Sequence, residues 1–211
     1  KVYKKTDEGD VWSELFSRYS INSIVEADDG SLVFRAGLGT SGEGSVHRYY
    51  AGTVTKTFTD SVDGFGDPTA GLLKARDGAL YFISIDKSID LNTTTIEYTE
   101  PGHALLAAYK STDNGITWTK QGTLPNSWGI QAPVIEDSLG TLYAASFSVC
   151  DKKDVVYKST DKGVTWSSIG ASPRFGNVNP DLWYYFGIRA MIELSVKILI
   201  GGNAPVIFGT R

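Results

Sequence analysis

Tyr109-Lys110-Ser111-Thr112-Asp113-Asn114-Gly115-Ile116-Thr117-Trp118 is repeated 48 residues later as Tyr157-Lys158-Ser159-Thr160-Asp161-Lys162-Gly163-Val164-Thr165-Trp166. The two stretches differ only at the residue before the glycine and at the aliphatic residue after it. A weaker copy opens the chain, Tyr3-Lys4-Lys5-Thr6-Asp7-Glu8-Gly9-Asp10-Val11-Trp12, with Asp7, Gly9 and Trp12 in the matching places. Asp7 and Asp113 are 106 residues apart, two periods of 53, so one copy is expected near position 60. Tyr49 through Phe58 stands there and reads as a shortened copy without the aspartate or the tryptophan. Self-similarity at such a period marks a repeat architecture.

Physical chemistry gives the decapeptide a shape. A strand ends at Tyr-Lys. The Asp carboxylate accepts backbone N–H bonds in a tight turn, and Gly takes the positive φ that the turn needs. The next strand begins near Thr and carries a Trp that packs under the turn. Asp7, Asp113 and Asp161 therefore read as turn-formers rather than catalytic groups.

A second unit alternates with the first. Ser23 to Phe34, Gly71 to Phe82 and Pro133 to Ala144 each read as strand, turn, strand. Asp29-Gly30 and Asp77-Gly78 provide the turn in the first two and Gly140 in the third, while Ala190 to Ile200 is a last copy without the turn glycine. Asp-Gly between apolar runs is a strong hairpin signal. Together the two units predict four antiparallel strands in meander order every 48 to 62 residues, the pattern of a propeller blade. The expected fold is all-β, a β-propeller of four-stranded blades, either small, with four to six blades, or partial. Residues 1–211 form one domain, with units at about 21–59, 70–121, 130–169, and 187–211 joined with 1–15. Seventeen strands are expected.

Composition agrees. The 211 residues are 41% hydrophobic, 21% charged and 12% aromatic, with 23 glycines, as suits strands joined by tight turns. The net charge is −4 and no Lys/Arg run occurs, which argues against a nucleic-acid partner. No apolar run approaches the roughly 18 residues of a membrane-spanning helix. The single cysteine, Cys150, reads as a small buried hydrophobe. No His cluster suggests a metal and no phosphate loop is present, so no cofactor is expected. Asn92-Thr93-Thr94 fits the glycosylation triplet of secreted proteins.

Ser111 to Trp118 and Ser159 to Trp166 match, at every fixed position, the S-x-D-x-G-x-x-W pattern of the Asp-box (BNR) repeat family, and the chain resembles that sialidase-like superfamily. The first copy has Lys5 in place of the serine. The structural positions are Asp7, Gly9 and Trp12; Ser111, Asp113, Gly115 and Trp118; and Ser159, Asp161, Gly163 and Trp166. The resemblance implies a propeller, a carbohydrate-related role and an extracellular or secreted setting. In sialidases an F/Y-R-I-P motif precedes the first strand. Here that place holds Tyr19-Ser20-Ile21-Asn22, with Ser20 for the arginine, which argues against sialidase catalysis.

In a meander blade the Asp-Gly turns and the Asp boxes share one face, and the longer loops gather on the other, where a ligand is expected. Trp128, Gln131, Trp183, Tyr184 and Tyr185, with Arg35, Arg174 and Arg189, are the candidate ligand-binding residues. Rings that stack on sugar faces beside hydrogen-bonding and anion-binding groups are how proteins hold glycans. Asp67, before Pro68, is the candidate proton donor. The leading reading is a glycan-binding propeller. The alternatives are an exo-glycosidase and a non-catalytic scaffold for another protein chain.

Overall fold

The structure, a computed structural model, describes residues 2–5, 12–16, 20–37, 44–59, 71–86, 106–130, 134–148, 153–171, 188–194, 197–202 and 207–210. The described residues are all-β. The first sheet pairs β1 (Val2–Lys5) with β2 (Trp12–Phe16). The second runs in the order β3 (Ser20–Glu26), β4 (Leu32–Gly37), β5 (Gly44–Tyr50) and β6 (Thr53–Thr59). The third holds β7 (Leu73–Lys74), β8 (Leu80–Ile85), β9 (Leu106–Ser111) and β10 (Thr119–Leu124). In the fourth, β13 (Leu142–Ser148), β14 (Lys153–Ser159) and β15 (Ser167–Ala171) follow a first strand in two pieces, β11 (Ser127–Ile130) and β12 (Ile135–Glu136). Both pieces pair with β13. The fifth holds β16 (Ile188–Leu194), β17 (Lys197–Gly202) and β18 (Ile207–Thr210).

All pairings are antiparallel and, apart from β11 with β13, join chain neighbours, as a meander requires. The described strands number eighteen, one more than the seventeen expected, because the first strand of the fourth sheet is split into β11 and β12. The shortened copy at Tyr49–Phe58 closes the second sheet with a two-residue turn. Ala51 and Gly52 both have positive φ there, 48° and 84°, the geometry that matches the strand twist.

The alternation of side chains sets the packing. On β8, Leu80 and Phe82 join the apolar cluster shared with Val33, Val46 and Phe58 of the second sheet. Tyr81, Ile83 and Ile85 join the cluster shared with Leu142, Ala144, Val155 and Tyr157 of the fourth. Every residue of β8 is therefore buried, unlike a strand with one wet face. The fourth sheet meets the fifth through Ala145, Val156 and Met191. The second to fifth sheets thus pack one on the next through these clusters, each apolar side chain contributing about 1.5–3 kcal/mol when fully buried. The outer strand β15 is exposed throughout and β6 along most of its length. Irregular register in β6, β10 and β15 bends these outer strands away from clean edge pairing.

The seams leave no room at one glycine of β10. A Cβ at Gly122 would lie 2.0 Å from the carbonyl oxygen of Val164, in the turn of the next sheet. Because the obstacle is backbone, no rotamer change relieves it. Gly122→Ala is therefore expected to lower stability by about 2 kcal/mol or more, measured by urea unfolding. An unchanged midpoint would show that the third and fourth sheets do not meet there.

Candidate functional site

Each sheet has a turn end and a loop end. At the turn end the chemistry is spent on the backbone. Asp113 Oδ1 accepts from the Thr117 amide at 2.9 Å and from Ser111 Oγ at 2.7 Å, while Asp113 Oδ2 accepts from Thr117 Oγ1 at 2.5 Å. Ser111 Oγ in turn accepts from the Gly115 amide at 2.9 Å. Asp161 repeats the set with Thr165 (2.8 and 2.6 Å) and Ser159 (2.8 Å), and Ser159 Oγ accepts from Gly163 at 2.8 Å. Gly115 and Gly163 sit at φ 81° and 89°, where a side chain would be strained. The tryptophans diverge. Trp166 Nε1 donates to its own turn at Gly163 (3.0 Å), but Trp118 Nε1 crosses the seam to Thr57 Oγ1 (3.2 Å) and sets its ring edge-on to Phe82. The second sheet, with no tryptophan in β6, leaves that hydroxyl open to its neighbour.

Charged side chains at the turn end bridge successive sheets. Arg48 pairs with Asp29 at 2.5 Å and donates from Nε to the Asn114 carbonyl at 3.1 Å, while Lys74 pairs with Asp28. Lys162 reaches Glu136 at 2.9 Å and Asp77 at 3.6 Å, and the Arg76 amide donates to the other oxygen of Glu136. Burial beside these groups pushes the Tyr81 phenol up to about 12, with the Asp77 and Glu136 carboxylates adding to the rise and Lys162 opposing it.

The loop end differs. In the seam between the second and third sheets, Arg35 is wholly buried. Its guanidinium donates to the Ile83 carbonyl at 2.8 Å and lies 4.9 Å from the centre of the Phe82 ring. Just beyond β8, the buried carboxylate of Asp86 pairs with Lys120 Nζ at 2.5 Å, and the lysine is partly exposed. Tyr109 donates its hydroxyl to the Ile85 carbonyl, and Ser84 is buried beside them. The first strands are also irregular at this end. Register slips at Asn22 in β3, Gly129 in β11 and Arg189 in β16. Such bulges often flank binding sites because they re-aim a strand.

Of the sequence-derived site residues, Arg35 lies in this seam, Trp128 stands on β11 opposite Phe147, and Arg189 stands at the irregular step of β16. Asp67, Gln131, Arg174, Trp183, Tyr184 and Tyr185 lie outside the described residues, as do Asp7 and Gly9, while Trp12 opens β2. No sequence motif marks Asp86 and Lys120 as a pair. They are 34 residues apart, and only the pairing of β8, β9 and β10 brings them together. Among the described residues, no group of three or more His, Cys, Asp or Glu is placed to hold a metal ion, and no helix is long and apolar enough to cross a membrane.

No family model and no curated protein matches the chain. Solved structures do. A protein of unknown function from Dyadobacter fermentans aligns over 86% of this chain at 14% identity and TM-score 0.53. An α-L-arabinanase from Penicillium chrysogenum, complexed with arabinobiose, aligns over 88% at 13% and 0.53. The Hadza microbial sialidase Hz136 aligns over 89% at 15% and 0.54. The fold is that of a β-propeller. The chain spans 61% and 60% of the first two proteins and 43% of the sialidase.

The turn carboxylates make stability pH-dependent. Hydrogen bonds from Thr165 and Ser159 hold Asp161 down at about 2, against an ordinary value of 3.8. For Asp113, burial pulls upward, but the bonds from Thr117 and Ser111 outweigh it and leave it below that value. A depressed folded-state pKa means the stabilisation is complete above the unfolded value of about 4 and is lost as pH falls through the folded one. Thermal midpoints are therefore expected to drop between about pH 4 and pH 2, and Asp161→Asn to reduce that drop while lowering stability at neutral pH. An equally steep acid transition in the variant would remove Asp161 from the explanation.

Proposed function

We propose that this chain is a carbohydrate-binding propeller of the sialidase-like Asp-box kind, taking a glycan at the loop end. The observation that carries the reading is the placement of charge. At the turn end Asp113 and Asp161 are consumed by their own turns, and Asp28 and Glu136 are paired with Lys74 and Lys162. At the loop end, Arg35, Asp86 and Lys120 gather polar chemistry in an otherwise apolar seam. A sugar offers hydroxyls to such groups and apolar ring faces to aromatic side chains. Support comes from the company the fold keeps, an arabinanase holding arabinobiose and a sialidase. Trp128, Gln131, Arg174, Trp183, Tyr184, Tyr185 and Arg189 complete the proposed ligand surface, and an extracellular or secreted setting goes with it.

A glycan array that includes arabino-oligosaccharides and sialosides tests this, followed by titration calorimetry on the best ligand. Arg189→Ala and Lys120→Ala are each expected to weaken binding about tenfold, the loss of one good polar contact. Asn114→Lys, at the turn end, should leave affinity unchanged. No bound glycan, or equal losses at both ends, would defeat the reading. A fluorogenic glycoside panel run beside it decides between lectin and exo-glycosidase: turnover that disappears in Asp67→Ala makes the chain an enzyme. A second reading, a scaffold for another protein chain, is favoured by the exposed Tyr50, Ile116, Leu139 and Val164 at the turn end.

A further inference from the structure

The two carboxylate turns differ at one position that matters chemically. The first turn holds Asn114 before Gly115, where the second holds Lys162 before Gly163. Asn-Gly is the dipeptide most prone to deamidation, because glycine has no side chain to hinder attack by its own amide nitrogen. Asn114 is partly exposed and adopts a positive φ of 59°. The attacking atom, however, is engaged. The buried Gly115 amide donates to Ser111 Oγ at 2.9 Å, and the Asn114 carbonyl is held by Arg48 Nε at 3.1 Å.

We propose that Asn114 is a latent deamidation site, kept slow by the Ser111 hydroxyl that occupies the Gly115 amide. The reaction needs only water and a proton acceptor. The Gly115 nitrogen loses its proton to solvent and attacks Cγ of Asn114, forming a C–N bond. The bond from Cγ to Nδ2 breaks, and the nitrogen leaves as ammonia. Water then opens the succinimide to aspartate or isoaspartate. Isoaspartate inserts a methylene into the main chain between the Ser111 and Thr117 anchors of Asp113. It also turns the Asn114 carbonyl that Arg48 grips across the seam into a free carboxylate set off the lengthened main chain, so the modified chain would carry an altered tie between the second and third sheets.

Incubating the native protein at mildly alkaline pH and mapping peptides by mass spectrometry measures the rate at Asn114. Ser111→Ala is expected to raise it about fivefold or more, the equivalent of losing one hydrogen bond. Thr117→Val is the control. It loosens the same turn by removing the bond to Asp113 Oδ2 but leaves the Gly115 amide engaged, so its rate should stay near native. Asn114→Lys, which copies the second turn, should abolish the product and the accompanying fall in thermal midpoint. Equal acceleration in Ser111→Ala and Thr117→Val would overturn the proposal, since general loosening would then explain it. So would a native rate matching that of the same decapeptide free in solution.

Discussion

A carboxylate that accepts hydrogen bonds from its own turn is the interaction on which the rest of this structure rests. Asp113 and Asp161 each gather bonds from a serine before and a threonine after, and so fix the corner where one strand hands over to the next. The corner is the contact surface as well as the connection. A Cβ on Gly115 would strike Val33 of the preceding sheet, and Val164 of the second turn presses its carbonyl onto Gly122. If the corner were less defined, the sheets could not approach so closely, because close-packed interiors transmit small displacements.

That closeness explains the division of labour among side chains. With both faces of β8 buried, the strand can carry almost nothing but apolar residues, and its polar neighbours collect at its two ends. At the turn end the charges tie sheet to sheet, as when Lys162 spans Glu136 and Asp77. Exposed pairs such as Lys162 with Asp77 contribute little singly. Their worth lies in registering one sheet on the next around an ordered corner.

The architecture was legible because its signals are local and repeated. Ten residues containing Asp, Gly and Trp at set offsets specify a corner whatever lies around them, and two near-identical copies set the period. The split first strand of the fourth sheet was not legible, since Ser127–Ile130 and Ile135–Glu136 look like one interrupted run until both pair with β13. The different partners of Trp118 and Trp166 were not legible either. Identical sequence positions diverge because Thr57 waits across one seam. The site was the least legible part. Arg35 could be named from its place near the end of β4, but the Asp86–Lys120 pair arises only from strand register, which no short motif encodes.

A fold of this kind keeps its turn-forming chemistry apart from the polar groups at its other end. Hydrogen bonds closed within a turn have no spare valence for a ligand, so the turn end can be repeated almost unchanged along the chain. The described groups at the loop end are held differently. Arg35 spends one donor on a main-chain carbonyl and lies over a ring, and Asp86 is balanced by a lysine that is itself partly in water. Of these charges, Arg35 and Asp86 are buried in the seam and only the lysine reaches solvent. Changes at the corners alter whether the sheets stack at all, whereas the polar groups at the loop end lie away from those corners. The near-identity of the two decapeptides, beside the differing lengths of the loops opposite them, is what that separation looks like in sequence.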